Sequence, residues 1–254
     1  MDILSVLFRW LHVAAGILWI GLLYWFNFVN TPFAGTMDGE TKKKVLPELM
    51  PRALYWFRWA AAYTWVSGIV LLFFVYYYGG LMYGEGSSQE WGLGYSLITL
   101  VIIFALAYVY DILAKGPVGK NLKIFGVVGF ILVGVVIYAL IHVGGFGYRA
   151  YVIHTGALFG TIMAFNVWMR IWPSQRKIIR AVKEGTALDA TLVALAGVRS
   201  RHNVYLSVPL VWTMINAHTA VPAADSWIYL LAVVVVGWLV VSWIYSKAAK
   251  VKGF

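Results

Sequence analysis

The chain has 254 residues, of which 62% are hydrophobic and 12% are charged. Long apolar runs recur along its whole length, which excludes a soluble globular domain and is typical of a polytopic membrane protein. The formal net charge of +10 comes largely from loop residues, so it indicates membrane topology and not a nucleic-acid partner.

The apolar runs predict an all-α, polytopic helix bundle with seven transmembrane helices in a single domain over residues 1–254. Each run reaches about the 20 residues that a helix needs to cross a bilayer. The first run is too long for the core of a signal peptide, so we expect it to stay as a helix. The predicted spans cover residues 3–29, 53–78, 93–113, 122–143, 150–172, 203–221 and 227–246.

The connections between these spans alternate in charge. The first, third and fifth connections and the C-terminal tail are rich in lysine and arginine. The second and sixth contain neither, and the fourth contains only Arg149. The positive-inside rule therefore predicts an N-terminus outside and a C-terminus in the cytoplasm. We expect a multi-pass protein of the bacterial inner (cytoplasmic) membrane.

The fifth connection, residues 173–200, is the long one. Residues 175–183 and 187–198 each have the spacing of a short amphipathic helix, separated by Glu184 and Gly185. We expect both helices to lie on the cytoplasmic surface, where they contact anionic lipid.

Cysteine is absent from the chain. Its absence excludes disulfides, iron–sulfur clusters, thiolate-bound metals and a covalent c-type haem attached through a C-x-x-C-H motif. A redox centre would therefore depend on histidine, methionine or carboxylate ligands. The predicted spans also lack a central acidic residue, which argues against a proton pump.

Four of the five histidines lie near the outer face in the predicted topology. His12 and His154 fall inside spans, whereas His142 and His218 lie at the ends of spans. Polar groups at membrane depth are costly and usually functional, and histidine is a common axial ligand of haem iron. The pattern predicts one or two b-type haems, or one haem and a further site. Packing histidines are the alternative interpretation.

We expect His12 to pair with His154 as axial ligands of the haem iron, because both are inside their spans. His142 and His218 form a second, shallower candidate pair. Arg9 and Arg149 lie at the same interface and are candidates to neutralise haem propionates. The alternative is that both arginines only extend toward the headgroups.

His202 lies on the opposite side of the membrane from the other histidines, next to Arg201. These two residues are candidates to contact an anionic headgroup, a quinone or a purine-like substrate. The alternative is a polar cluster that merely begins a helix at the interface.

Two segments resemble a known family. Residues 9–29 begin with R-W-L-H, and residues 201–209 have the pattern R-H-N-x-Y-L-S-x-P. Both are similar to the membrane domain of the bacterial membrane-bound urate oxidase, or urate hydroxylase, family. The resemblance extends over most of the chain, and the R-H-N-x-Y-L-S-x-P stretch is its most specific part.

The resemblance implies an integral membrane domain that precedes a C-terminal c-type cytochrome domain, with electrons from urate passing to the respiratory chain. The sequence lacks that cytochrome domain and ends with a basic tail at Phe254. We therefore expect a c-type cytochrome, or subunits of a respiratory complex, to be separate partners that dock on the outer face.

Three functions follow as hypotheses. The first is a b-type haem protein that relays electrons near the outer leaflet to a separate cytochrome or respiratory partner. The second is a membrane-bound oxidase of urate or a related heterocycle, as the resemblance implies. The third is a cofactor-free accessory subunit of a larger membrane complex.

Overall fold

The computed structural model of the protein describes residues 3–83, 93–217 and 226–251. Within these ranges the chain is helical and has no β-strand, apart from an isolated bridge between Tyr83 and Phe146. The all-α prediction is confirmed for the described residues. The α-helices are α1 Ile3–Tyr24, α2 Thr31–Thr36, α3 Gly39–Leu71, α4 Leu93–Lys115, α5 Leu122–His142, α6 Tyr148–Asn166, α7 Trp172–Glu184, α8 Ala190–Asn216 and α9 Trp227–Ala248.

Six helical stretches of the described chain are long and apolar enough to cross a membrane, which supports a multi-pass membrane protein. They are Ile3–Thr36, Gly39–Tyr77, Leu97–Lys115, Leu122–His142, Tyr148–Glu184 and Trp227–Ala248. The predicted span 203–221 overlaps α8, which is not among these six, and its end lies outside the described residues. The seventh span and the orientation stay predictions.

Several stretches continue beyond the predicted spans as one helix. The stretch Gly39–Tyr77 has 39 residues, which corresponds to about 58 Å of helix, or nearly twice the apolar thickness of a bilayer. Likewise, α8 contains most of the predicted amphipathic segment 187–198 and continues through the start of the predicted span at 203. No glycine or proline interrupts residues 198–208, so the helix has no local reason to end there.

The turn between α7 and α8 has clear local causes. Helix α7 ends at Gly185, whose φ of +68° is the left-handed conformation that glycine adopts without strain. Asp189 then precedes α8, and its carboxylate accepts hydrogen bonds from the backbone N–H and the hydroxyl of Thr191, at 2.8 and 2.6 Å. These bonds hold the pKa of Asp189 below its usual value.

Three helical turns have the wider π geometry, Trp25–Asn30, Leu72–Tyr77 and Val167–Ile171. Each joins directly to a flanking α-helix. Such turns are rare and occur often at functional sites. Here they contain Asn27, Tyr77 and Trp168, whose contacts are described below.

The chain divides into two compact units, and each is described by itself. Unit 1 comprises Met1–Gly68, Met163–Ser207 and Trp238–Phe254; unit 2 comprises Ile69–Ile162 and Val208–Gly237. Unit 1 buries aromatic side chains such as Trp19 and Phe57, and unit 2 buries Phe159 and Leu230. Many large apolar side chains on other helix faces are exposed, which is compatible with a surrounding bilayer.

Close packing in unit 2 depends on Gly156 of α6. A methyl group built there would collide with the side chain of Thr213 and lie 3.0 Å from Cε of Met214, both on α8. Small residues at such positions let membrane helices approach closely. The contact between α6 and α8 therefore requires glycine at this position.

We expect Gly156→Ala to lower the free energy of unfolding by about 1–3 kcal/mol, since the added methyl group must push α6 and α8 apart. Unfolding in mixed detergent, followed by circular dichroism, measures this change. Gly126→Ala on α5 is the matched control, because a methyl group there meets no atom within 4 Å. Equal effects of the two substitutions would contradict the packing argument.

Candidate functional site

Among the predicted ligands that the structure describes, His154 is the most deeply buried, with 0% of its surface exposed in unit 2. Its Nδ1 lies 2.7 Å from the carbonyl oxygen of Ala150, one helical turn earlier in α6. A carbonyl can only accept, so Nδ1 carries the proton and donates. Nε2 is then an acceptor, and it receives a hydrogen bond from the hydroxyl of Tyr77 at 2.8 Å.

Aromatic rings surround this imidazole. The ring centroids of Phe146, Tyr77 and Tyr76 lie 4.9, 5.5 and 6.3 Å from that of His154. Phe146 is positioned by the turn before α6, where the N–H of Gly147 donates to the carbonyl of Met82 at 3.0 Å. The result is a dry, flat-walled environment with one histidine at its centre.

His12 has a similar backbone contact in unit 1, although its side chain is half-buried. Its Nδ1 lies 2.9 Å from the carbonyl oxygen of Thr64 and 3.2 Å from Oγ of Ser67, so Nδ1 again donates to a carbonyl. The ring packs directly on Gly68, where a methyl group would approach Cε1 to 2.9 Å. No hydrogen bond from Nε2 to another described residue is present.

The other predicted ligands and their partners occupy more open positions. His142 is exposed, and its ring lies 4.2 Å from that of Tyr138. Arg9 and Arg149 are also exposed. His218 lies outside the described residues. Within the described ranges, no three histidine or acidic side chains form a group that could hold a metal ion.

The structure therefore places His12 in unit 1 and His142 and His154 in unit 2. The pairings of His12 with His154 and of His142 with His218 stay predictions. Sequence reasoning missed Tyr77 as a partner of His154, because the run Tyr76–Tyr78 also fits an interfacial aromatic belt. The contact of His12 with Thr64 was not predicted either, because it uses a backbone carbonyl, which every residue has.

Three sets of polar contacts in unit 1 involve residues 200–207, in and next to the R-H-N-x-Y-L-S-x-P stretch. Asn166 donates through Nδ2 to Oδ1 of Asn203 at 2.8 Å, and Asn203 donates to the carbonyl of Met163 at 3.0 Å. Both asparagines are 0% exposed. This pair joins α6 to α8 in the interior of unit 1.

Asn27 makes the second set of contacts in unit 1. Its Nδ2 donates to Oγ of Ser200 and to the carbonyl of Leu23, each at 2.8 Å, and its Oδ1 accepts from the hydroxyl of Tyr245 at 3.0 Å. One side chain thus connects the helix of residues 3–36 to α8 and α9. Because the π turn at Trp25–Asn30 includes Asn27, it contributes to this placement.

The serine of the same stretch makes the third set. Ser207 donates to the carbonyl of Val204 at 2.7 Å, so its single proton is used. Tyr24, whose hydroxyl lies 3.0 Å from Oγ of Ser207, is therefore the donor in that contact. Asn203 thus contacts α6 and Ser207 contacts α1, so polar side chains of the stretch join α8 to two other helices.

The basic residues in and next to the stretch differ in burial. Arg201 is exposed, and its guanidinium carbon lies 5.4 Å from the ring centroid of Tyr245. His202 is only 5% exposed and Arg199 only 1%. Since α8 begins at Ala190, these residues lie inside a helix, and the alternative of a cluster that begins a helix does not hold.

The sequence was also compared with known protein families. The model of the urate oxidase N-terminal family matches residues 1–253. The chain belongs to this family. No curated protein and no solved structure matches the chain. The family assignment confirms the resemblance that the sequence motifs indicate, and the match covers essentially the whole chain.

The Asn166–Asn203 pair gives a direct stability test. We expect a double-mutant cycle of Asn166→Leu and Asn203→Leu to give a coupling energy of about 0.6–1.7 kcal/mol, the range for hydrogen bonds between membrane helices. Unfolding in mixed detergent measures it. A cycle of Asn203→Leu with Ser246→Ala is the control, because exposed Ser246 bonds within its own helix, to Trp243. A coupling energy near zero for both cycles would contradict the role of the pair.

Proposed function

We propose that this chain is the membrane module of a system that oxidises urate or a related heterocycle, and that it holds b-type haem through histidines inside its helices. The family match supports the link to urate oxidation. The observation that carries the haem proposal is the orientation of two imidazoles, each with Nδ1 donating to a backbone carbonyl.

This orientation fits an axial haem ligand. A metal-binding histidine almost always donates its second ring nitrogen to a carbonyl or carboxylate, which fixes the tautomer and makes the binding nitrogen more basic. His154 and His12 both follow this pattern, so Nε2 is the ligand nitrogen in each. When bound, a b-type haem supplies one-electron transfer.

The surrounding residues would control access to each nitrogen. In unit 2, Nε2 of His154 would be free to hold iron only without its hydrogen bond to Tyr77, and Phe146 and Tyr76 would keep water away. In unit 1, the ring of His12 packs against Gly68 and fits there because glycine has no side chain. Arg9 and Arg149, both exposed, are the proposed partners of the propionates.

We also propose the direction and the partners of electron transfer. With the N-terminus outside, His12 and His154 lie in the outer half of the bilayer, so a c-type cytochrome or a respiratory subunit would receive electrons at the outer face. The guanidinium of Arg201 lies near the ring of Tyr245, and these two planar groups would together contact a planar anionic purine. His202 is its neighbour on α8.

One observation favours a second candidate, a cofactor-free accessory subunit. Both nitrogens of His154 are already hydrogen-bonded, to Ala150 and Tyr77, as expected of a histidine that only stabilises packing. The haem content of the protein distinguishes the two candidates.

The first experiment is a reduced-minus-oxidised visible spectrum of the purified protein, with pyridine haemochrome quantification. We expect one or two b-type haems per chain, reduction of the haem by added urate, and loss of Soret absorbance in His154→Ala and His12→Ala. A colourless wild-type protein would support the accessory subunit. Haem without urate-dependent reduction would support the electron relay over the oxidase.

Tyr77→Phe distinguishes a ligand from a packing residue at His154. If Nε2 binds iron, removal of the competing hydroxyl leaves haem content at or above the wild-type level. If His154 only stabilises packing, Tyr77→Phe removes a buried hydrogen bond and lowers the free energy of unfolding by about 1 kcal/mol without any Soret signal. The haem content and the free energy of unfolding can both be measured on one purified sample.

Gly68→Ala tests the position of His12. The added methyl group displaces the imidazole, so we expect a lower haem content or a shifted Soret maximum. Gly21→Ala is the matched control on α1, since a methyl group there meets nothing within 4 Å. Identical spectra for the two variants would exclude His12 as a ligand.

A further inference from the structure

Arg58 of α3 lies in an aromatic cage in unit 1. Its guanidinium carbon is 4.1 Å from the ring centroid of Trp172, 5.7 Å from that of Tyr55 and 5.8 Å from that of Trp168. The indole N–H of Trp168 donates to the carbonyl of Arg58 at 3.1 Å, which fixes one wall of the cage. Cation–π contacts of this kind hold a guanidinium in place without neutralising it.

The cage leaves the charge of Arg58 without a counter-ion among the described residues. No carboxylate of these residues forms a salt bridge with Arg58, and its buried Nε has no hydrogen-bond partner. A guanidinium has five N–H donors, and unmet donors near the apolar part of a bilayer are costly. An acceptor from outside these residues would meet the Nε donor.

A groove of about 460 Å³ adjoins the cage, lined by Pro51, Arg52, Tyr55 and Trp56. Tyr55 belongs to both the groove and the cage. Tyr55 and Trp56 are 48% and 58% exposed, so they form an open apolar wall. The carboxylate of Glu48 pairs with Arg52 at 2.8 Å, whereas no described carboxylate forms a salt bridge with Arg58.

These residues lie where the polar part of the helix gives way to the apolar part. Lys42, Lys43 and Lys44 precede them, and the apolar run begins at about residue 53. Arg58 is six residues beyond Arg52, about 9 Å along the helix axis. Headgroup phosphates and interfacial Trp and Tyr side chains occupy this level in a bilayer.

We propose that the Arg58 cage and its groove bind the phosphodiester of an anionic phospholipid. The guanidinium fork matches two phosphate oxygens, and Tyr55 and Trp56 contact the upper part of an acyl chain. An aqueous anion would use the charge of Arg58 but not the apolar wall. This site is independent of the proposed urate and haem chemistry.

Native mass spectrometry of the purified protein tests the proposal, by titration with phosphatidylglycerol, phosphatidylcholine or inorganic phosphate. We expect phosphatidylglycerol to bind most tightly, and Arg58→Gln to weaken it about tenfold, the effect of losing hydrogen bonds to a charged group. Arg58→Lys keeps the charge but loses the fork, so it should bind with intermediate affinity. Arg180→Gln, on the exposed surface of α7, removes the same charge and should have no such effect.

Three outcomes would overturn the proposal. Equal affinity for phosphatidylcholine would show that the headgroup charge is not recognised, and equal affinity for inorganic phosphate would indicate an aqueous anion site. Unchanged phosphatidylglycerol affinity in Arg58→Gln would remove Arg58 from the site. If circular dichroism shows that this variant is unfolded, Trp172→Leu replaces it, since loss of the stacked ring should also weaken phosphatidylglycerol binding.

Discussion

A polar side chain inside a bilayer has no water to bond, so its partners must come from the protein, and this constraint organises unit 1. Asn166 donates a hydrogen bond to Asn203, and Asn27 forms hydrogen bonds with Ser200 and Tyr245. Each of these three bonds also joins two helices. The R-H-N-x-Y-L-S-x-P stretch is therefore a set of contacts between helices before it is any kind of binding site.

The same constraint governs the histidines. The carbonyls of Ala150 and Thr64 accept from Nδ1 of His154 and His12, so in the neutral form of each ring the proton is on Nδ1 and the lone pair is on Nε2. An imidazole held in this way is a good electron-pair donor in an apolar setting. The same geometry therefore suits a structural role and a haem-binding role, and the presence of iron would distinguish them.

Much of the fold could be predicted from the sequence, because apolar runs of bilayer length are a direct signal of membrane helices. The ends of the helices could not be predicted, because hydropathy indicates which residues contact lipid and not where a helix begins or ends. Hydropathy predicted a second span that begins at residue 53, whereas α3 begins at Gly39.

The histidines could be named as candidates, but Tyr77 could not, because its contact with His154 depends on the approach of two distant segments. The haem pairing stays a prediction.

The two prolines of α3, Pro47 and Pro51, also determine how deep this helix can enter the membrane. Proline has no N–H, so the carbonyls of Lys43 and Pro47, four residues earlier, lose their helical donors. Water can replace those donors, whereas lipid chains cannot. If α3 enters the bilayer as predicted, the prolines favour an aqueous position for its first turns, and this sets the level at which the following residues begin.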